Sequence, residues 1–403
     1  MLDEFALDDD HLAHRETVRE FCEAEVAPHV DEYDERGEFP DDLIRRVGEA
    51  GLTGVPFDES VDGAGLDYRS FAVTVEELAR TWKLVAGAVN VACGLVGYPL
   101  AKFGADWQRE EWLAPVCRGE SIPALAMTEP EAGSDVAALT TTARRDGDEL
   151  VLDGHKVWTT NGEAADLLLV VARTVDGDGS DGEDDGEGNG TNSDSGSRGH
   201  DDLSLVGVPD PADRDGLTVV RSIPCMEGDA AVESEIRFDG VRVPAENVVG
   251  EEGRGFRYAM EGLDVGRIGT AAQGVGIAQG SLDAAKSFAD EREQFGRPIR
   301  EFQGVGFKLA DMATRTRAAR LLTTYAAARR DAGDRVTQDA AMAKTFATDA
   351  AMEVATEAVQ VLGSRGYSRD YPVERYMREA KGTQIYDGTN EVNRLVVLDR
   401  MYD

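Results

Sequence analysis

Lysine is scarce in these 403 residues: there are 7, so arginine supplies 35 of the 42 basic side chains, against 78 acids and a formal charge of −36. A surface so poor in positive charge repels phosphate backbones and anionic lipid, which argues against nucleic-acid and membrane-surface partners. The imbalance suits a concentrated-salt cytoplasm, where the Debye length falls to about 3 Å at 1 M; an ordinary acidic protein is the plainer alternative. Cysteine is also sparse. Cys22, Cys93, Cys117 and Cys225 lie far apart with no CxxC or Cys/His cluster, which leaves neither a disulfide framework nor a zinc site, and no metal is expected. No run of about 18 apolar residues is expected along the chain, and so no membrane-spanning segment. Residues Met1 to Asp10 are acidic where a signal peptide would be basic and then apolar, so a cytoplasmic location is expected.

The chain is long enough for two to four domains. From Asp8 to Phe103 apolar residues recur at helical spacing, as in Leu12, Val18, Phe21 and Val26 or Phe71, Val75 and Leu78, predicting an all-helical domain over 1–120. Asp62-Gly63-Ala64-Gly65 follows no strand and reads as a loop, not a dinucleotide fingerprint. Near Ser121 the period changes to two. Strands are expected around Thr142, Leu150 and Leu152, Leu167 to Val171, Leu203 to Val206, Leu217 to Val220 and Glu235 to Phe238, giving a central β domain over 121–248. Within it, 176–202 holds ten acids, Arg198, many Gly and Ser, and no apolar residue, and predicts a disordered, solvated loop. A metal-binding acidic repeat would need a register of ligands that is missing. The segment 249–403 is helical again and predicts a bundle of four or five long helices. The fold class is therefore a multidomain α+β protein, with its site where the domains meet.

Three segments carry chemistry. Ala126 to Asp135 is a turn of small and hydroxyl residues able to hold a polar planar ligand, or simply a capped loop at a domain junction. Lys156-Val157-Trp158-Thr159-Thr160 ends a strand in an indole followed by two hydroxyls; it could cover an isoalloxazine ring and bond its edge, or place a plain core tryptophan. In Ile385-Tyr386-Asp387-Gly388-Thr389-Asn390-Glu391 a carboxylate stands between an apolar pair and a flexible turn. An apolar setting would make it a stronger base; alternatively Asp387 caps a helix starting near Asn390.

In this order, and with Leu263 to Arg267, Arg292 to Gly296, Phe302-Gln303 and Gln360 to Glu379 between and beyond them, the segments resemble the acyl-CoA dehydrogenase family of flavoproteins, nearly end to end. The resemblance implies a helical N-domain, a central β domain, a C-terminal four-helix bundle, a homotetramer, and FAD in an extended pose. By position, Met127, Thr128, Trp158 and Thr160 would contact the flavin. Arg292, Phe295 and Gln303 would meet the FAD of a neighbouring subunit, with an exposed helix-end pair as the alternative for Arg292 and Gln303. Gln360, Leu362, Gly363 and Ser364 would close over that cofactor, with Thr389 and Glu391 completing its pocket. Ser134, Asp264, Arg267 and Gly388 would line the path of the acyl-CoA.

The implied reaction is α,β-dehydrogenation of the thioester: Asp387 takes the α-proton, FAD takes the β-hydrogen as hydride, and electron-transfer flavoprotein accepts the electrons. Relatives with the base on this loop usually carry Glu there, and those with a glutamate on the Leu263 to Arg267 helix have it where this chain has Gly266. Asp387 is one methylene short, and an approach error of about 1 Å costs on the order of 100-fold in rate. Two rival readings follow: a nitroalkane-oxidase-like carbon-acid oxidase using Asp387, and a flavin-binding relative without dehydrogenase turnover. Dicarboxylyl-specific relatives place Arg where this chain has Ala86, which favours a monocarboxylic acyl chain. Its length depends on side chains around Val89 to Leu100.

Overall fold

The computed structural model describes residues 7–175, 202–231 and 233–402; nearly all of the acidic segment 176–202 lies outside them. The first helix, Asp9–Phe21, starts where Asp8 accepts the His11 N–H at 3.1 Å, a side-chain cap for an otherwise orphan donor. Helices at Asp41–Glu49 and Tyr68–Thr81 follow, with buried faces built on Leu43, Ile44 and Val47 and on Phe71, Val75 and Leu78.

Next comes a nearly continuous helical stretch, Lys83–Phe103, made of α-helix to Asn90, a π turn over Val91–Val96 and α-helix again from Gly97. Residues 84–101 carry no charge, so the expectation that no apolar run reaches membrane-spanning length is corrected. Among the described helices this one is long and apolar enough to cross a membrane, yet 78% of its apolar window is buried inside the fold. Its hydrophobicity matches a core position, flanked by other helices, rather than a lipid-facing one.

Seven strands form one mixed sheet: β1 (Pro123–Ala126), β2 (Thr142–Asp146), β3 (Glu149–Thr160), β4 (Leu167–Val175), β5 (Leu203–Pro209), β6 (Leu217–Ser222) and β7 (Glu233–Pro244). β4 is buried along most of its length, as its unbroken run Leu167–Ala172 requires. It pairs with β5 on one edge, and on the other with β1 and then β2, both parallel. Alternation did not single out four-residue β1. Gly147, at φ +66, makes the tight turn between β2 and β3.

The C-terminal region differs from four or five long helices. Three are long, Gly255–Glu291, Gln303–Asp331 and Thr337–Leu362, and two have 11 residues each, Val373–Thr383 and Asn390–Arg400. Gly296-Arg297-Pro298 belongs to a small hairpin between the first two. The 37-residue helix is the central element: Val265, Ile268, Ala271, Ala272 and Val275 join one core with Phe71, Val75, Leu78 and Val89 of the first region. Its small residues allow close crossings, and a Cβ built on Gly94 would lie 3.0 Å from the Cα of Gly266. The crossing lies directly below the Asp387 loop.

Candidate active site

The first wall of the site is made where β3 slips register against β7 between Lys156 and Thr159. Trp158 sits in that irregularity with φ +58, a left-handed conformation rare for a bulky residue. The distortion aims the indole outward, 54% exposed, while Lys156 and Thr159 on either side are fully buried. Trp158 is therefore no core tryptophan.

The two sequence segments thought to hold a planar ligand are joined here. The Val157 N–H donates to the Thr128 carbonyl at 2.9 Å. The Lys156 ammonium donates to the Met127 carbonyl at 2.8 Å and to Glu129 at 2.9 Å. Glu129 also accepts the Thr140 N–H and hydroxyl and the Thr141 N–H, all within 2.8 Å. Burial alone would raise the Glu129 carboxyl, but Lys156 and these donors outweigh it and hold it at about 2. This buried cluster fixes the Met127–Thr128 strand end against Trp158, and sequence reasoning assigned it no role.

A second carboxylate was also missed. The Thr160 hydroxyl donates to Glu233 on β7, 2.9 and 3.1 Å from its two oxygens. Burial, with the like charge of Glu227 added, raises the Glu233 carboxyl to about 7 although Lys83 opposes the shift. Lys83 itself is paired with Glu227 at 2.7 Å and lies 4.8 Å from the centre of the Tyr386 ring.

Asp387 and Gly388 are both left-handed, at φ +54 and +83. The loop is held rigidly: Arg267 Nε donates to the Asp387 carbonyl at 3.3 Å, and Lys344 and Asn393 donate to the Gly388 carbonyl at 2.8 and 2.7 Å. The helix cap is Thr389, which accepts the Val392 N–H at 3.2 Å, so the capping alternative for Asp387 falls. The carboxylate accepts at Oδ2 from the Thr270 hydroxyl at 2.6 Å and the Asn90 amide at 3.3 Å. An enclosure by its apolar neighbours is therefore corrected. Ile385 is 55% exposed and Tyr386 turns away to bond Gln273 at 2.6 Å. A Cβ on Gly266 would stand 3.5 Å from Asp387 Oδ2, so the loop and helix positions for a base converge on one point.

Asp264 is bonded to Arg267 at 2.8 Å and to Thr337 at 2.6 Å; burial raises its carboxyl against the pull of Arg267. Both line an open cleft of about 750 Å³ together with Lys102, Arg330, Arg335 and Arg400. Ser134 lies exposed on the loop after Glu129 and is not among the residues that line this cleft.

Most of the remaining expected cofactor residues lie on elements other than β3 and the Asp387 loop. Arg292, Phe295 and Gln303 are exposed at the hairpin between the first two long helices, Phe295 at 94%. Gln360, Gly363 and Ser364 are exposed at the end of the third. Leu362 is a correction: its side chain packs in the bundle core with Val354, Ala358 and Val373, leaving only its backbone to meet a ligand. The Glu391 side chain is 82% exposed.

The N-terminal, middle and C-terminal domain profiles of acyl-CoA dehydrogenase match residues 8–120, 124–241 and 253–402. The chain belongs to the acyl-CoA dehydrogenase family. It is 38% identical over 391 residues to the mitochondrial short-chain specific acyl-CoA dehydrogenase of Rattus norvegicus, covering 97% of this chain and 90% of that one. The solved butyryl-CoA dehydrogenase of Megasphaera elsdenii superposes with a TM-score of 0.90 at 38% identity, covering 99% of each chain. A chain in the structure described as the electron transferring flavoprotein of Acidaminococcus fermentans gives the same TM-score at 40% identity, covering 98% of this chain and 99% of that one.

Proposed function

We propose that the protein is an FAD-dependent acyl-CoA dehydrogenase that converts a short acyl-CoA to its trans-2-enoyl thioester and passes the electrons to electron-transfer flavoprotein. The carrying observation is the Asp387 carboxylate, fixed on a rigid loop at the point where the loop and helix positions for a base meet. The residues present fit a flavin. Trp158 offers a half-exposed aromatic face in a strained backbone conformation, beside the anchored Met127–Thr128 edge, and such a surface has a use when a planar ring covers it. Bound there, FAD would supply the acceptor for the hydride from the β-carbon.

This chain's residues do the rest. Asp387 removes the α-proton as the C–H bond breaks, and charge builds on the thioester oxygen. The Asp387 backbone N–H bonds no backbone carbonyl among the described residues, so it can stabilise that oxygen as charge develops. In the cleft lined by Asp264 and Arg267, Lys102, Arg330, Arg335 and Arg400, which stand beside Glu261, Asp334 and Asp399, would meet the phosphates of CoA. The Gly94–Gly266 crossing and Leu95, whose side chain comes within 2.5 Å of a Cβ built on Gly266, restrict the space beside Asp387 and favour a short chain.

We assign Arg292, Phe295 and Gln303 to the cofactor of a second copy, and the assembly to a homotetramer. Phe307, Leu321, Leu395, Leu398 and Met401, exposed on the C-terminal helices, support an interface there. The aspartate in place of glutamate keeps one rival, a carbon-acid oxidase. Asp387→Asn is expected to abolish bleaching of the flavin by butyryl-CoA while FAD stays bound; undiminished bleaching would place the base elsewhere. Oxygen-dependent peroxide release from a nitroalkane, with no reaction on acyl-CoA, would establish the rival.

A further inference from the structure

The Asp387 carboxylate is bonded on one side only. Oδ2 accepts from Thr270 at 2.6 Å and Asn90 at 3.3 Å, while Oδ1 has no hydrogen-bond partner among the described residues. Both donors are buried, Thr270 at 0% and Asn90 at 3% exposure, and each is fixed by its own element. Thr270 lies in the middle of the 37-residue helix, and Asn90, at the end of Lys83–Asn90, also donates to the Gly266 carbonyl at 3.1 Å. The donors come from two helices that touch at Gly94 and Gly266, so their separation is set by packing rather than by flexible side chains.

We infer that Thr270 and Asn90 are positioning residues for Asp387, fixing Oδ2 so that Oδ1 alone is presented to the substrate α-carbon and the short aspartate works where a longer side chain would otherwise be needed. The inference rests on Asp387 being the base. A free aspartate carboxylate turns about its side-chain torsions and offers either oxygen in several directions; two donors on one oxygen remove that freedom. Losing one donor lets the carboxylate shift. Displacement by about 1 Å costs on the order of 100-fold, and a shift of about half that, with the second donor still in place, costs about tenfold.

The test uses the FAD-loaded enzyme and anaerobic single-turnover bleaching by butyryl-CoA, with Thr270→Val as a near-isosteric change that deletes the hydroxyl. The bleaching rate should fall about tenfold, butyryl-CoA affinity should hold within about twofold, and Thr270→Ser should restore most of the rate. A purely structural role would move affinity and FAD retention together and would not be rescued by serine. The decisive measurement is the same deletion beside Asp387→Glu. Glutamate places its carboxylate differently, so Thr270→Val should cost far less there, a strong non-additivity. Equal losses in both backgrounds, or no loss with aspartate, overturn the inference while leaving Asp387 as the base. A wild-type enzyme that butyryl-CoA does not bleach, or an active Asp387→Asn, overturns instead the reading on which it rests.

Discussion

Adding one methyl group at Gly94 tests whether the crossing below Asp387 sets the rate. In Gly94→Ala the new Cβ would lie 3.0 Å from both Cα and N of Gly266 and 3.3 Å from Asn90 Oδ1. Carbon atoms settle at about 3.5–4.0 Å, so the two helices must part by about 0.5–1 Å. Neither contact is with the loose end of a long side chain; the nearer one is helix backbone. Overpacking of this kind costs about 1–3 kcal/mol, and replacing glycine in a helical segment returns at most about 1 kcal/mol, leaving a net loss of about 1–2 kcal/mol. The functional effect should be larger in proportion. Asn90 and Thr270 sit on opposite sides of the crossing and share Oδ2 of Asp387, so parting the helices pulls the carboxylate from its seat. A shift of half an ångström corresponds to about tenfold in rate. The assays are thermal melting and single-turnover bleaching by butyryl-CoA. Gly87→Ala is the control: apart from its own stretch of helix nothing lies within 4 Å of a Cβ there, so it should leave stability unchanged or raise it by about 0.5–1 kcal/mol. A Gly94→Ala enzyme that melts and bleaches like wild type would refute the close-crossing argument.

Lys156→Met removes the ammonium that ties Met127 to Glu129. Breaking a buried pair costs about 3–5 kcal/mol, and because Glu129 keeps its donors from Thr140 and Thr141 the lower end is expected. Urea titration should show the loss and FAD should dissociate more readily; tight FAD binding at full stability would show that the cluster does not hold the flavin edge. The Glu233 carboxyl, raised by burial from its usual 4.5 to about 7, keeps its proton in the folded chain across that window while the unfolded chain has lost it. Stability of the FAD-free protein should therefore fall as pH rises from about 4.5 to about 7. Glu233→Gln should flatten that slope, and an unchanged slope would assign it to other groups such as Glu379, which burial also raises to about 7.

Much of the site was legible through the order of its parts. Trp158, the Met127–Thr128 turn and the Asp387-Gly388 pair each had a plainer local reading, and it was their sequence along the chain, resembling a known family, that gave them their roles. The Leu263 to Arg267 stretch likewise supplied Arg267, which does reach the Asp387 carbonyl. The uncharged run 84–101 was overlooked because asparagine, proline and glycines interrupt its apolar residues; only packing against the long helix shows it to be core. β1 escaped because its partner, β4, lies some forty residues away in a parallel pairing that no hairpin turn signals.

What the sequence could not show is how the base is supported. Thr270 lies 117 positions and Asn90 297 positions from Asp387, and each reads locally as an ordinary residue of an apolar helix. Glu233 is 73 positions from Thr160, and Glu129 is 27 from Lys156. Each pair arises from tertiary packing and leaves no period or motif in the chain. The aspartate looked like a defect for the same reason. Judged by its own length, Asp387 is a methylene short of its task; judged with two buried donors on Oδ2, it belongs to a different way of presenting a carboxylate, in which rigidity of the surrounding helices substitutes for reach. A chain with Asp at this position but apolar residues at 90 and 270 should therefore be a poor dehydrogenase, and restoring either donor should recover part of its rate.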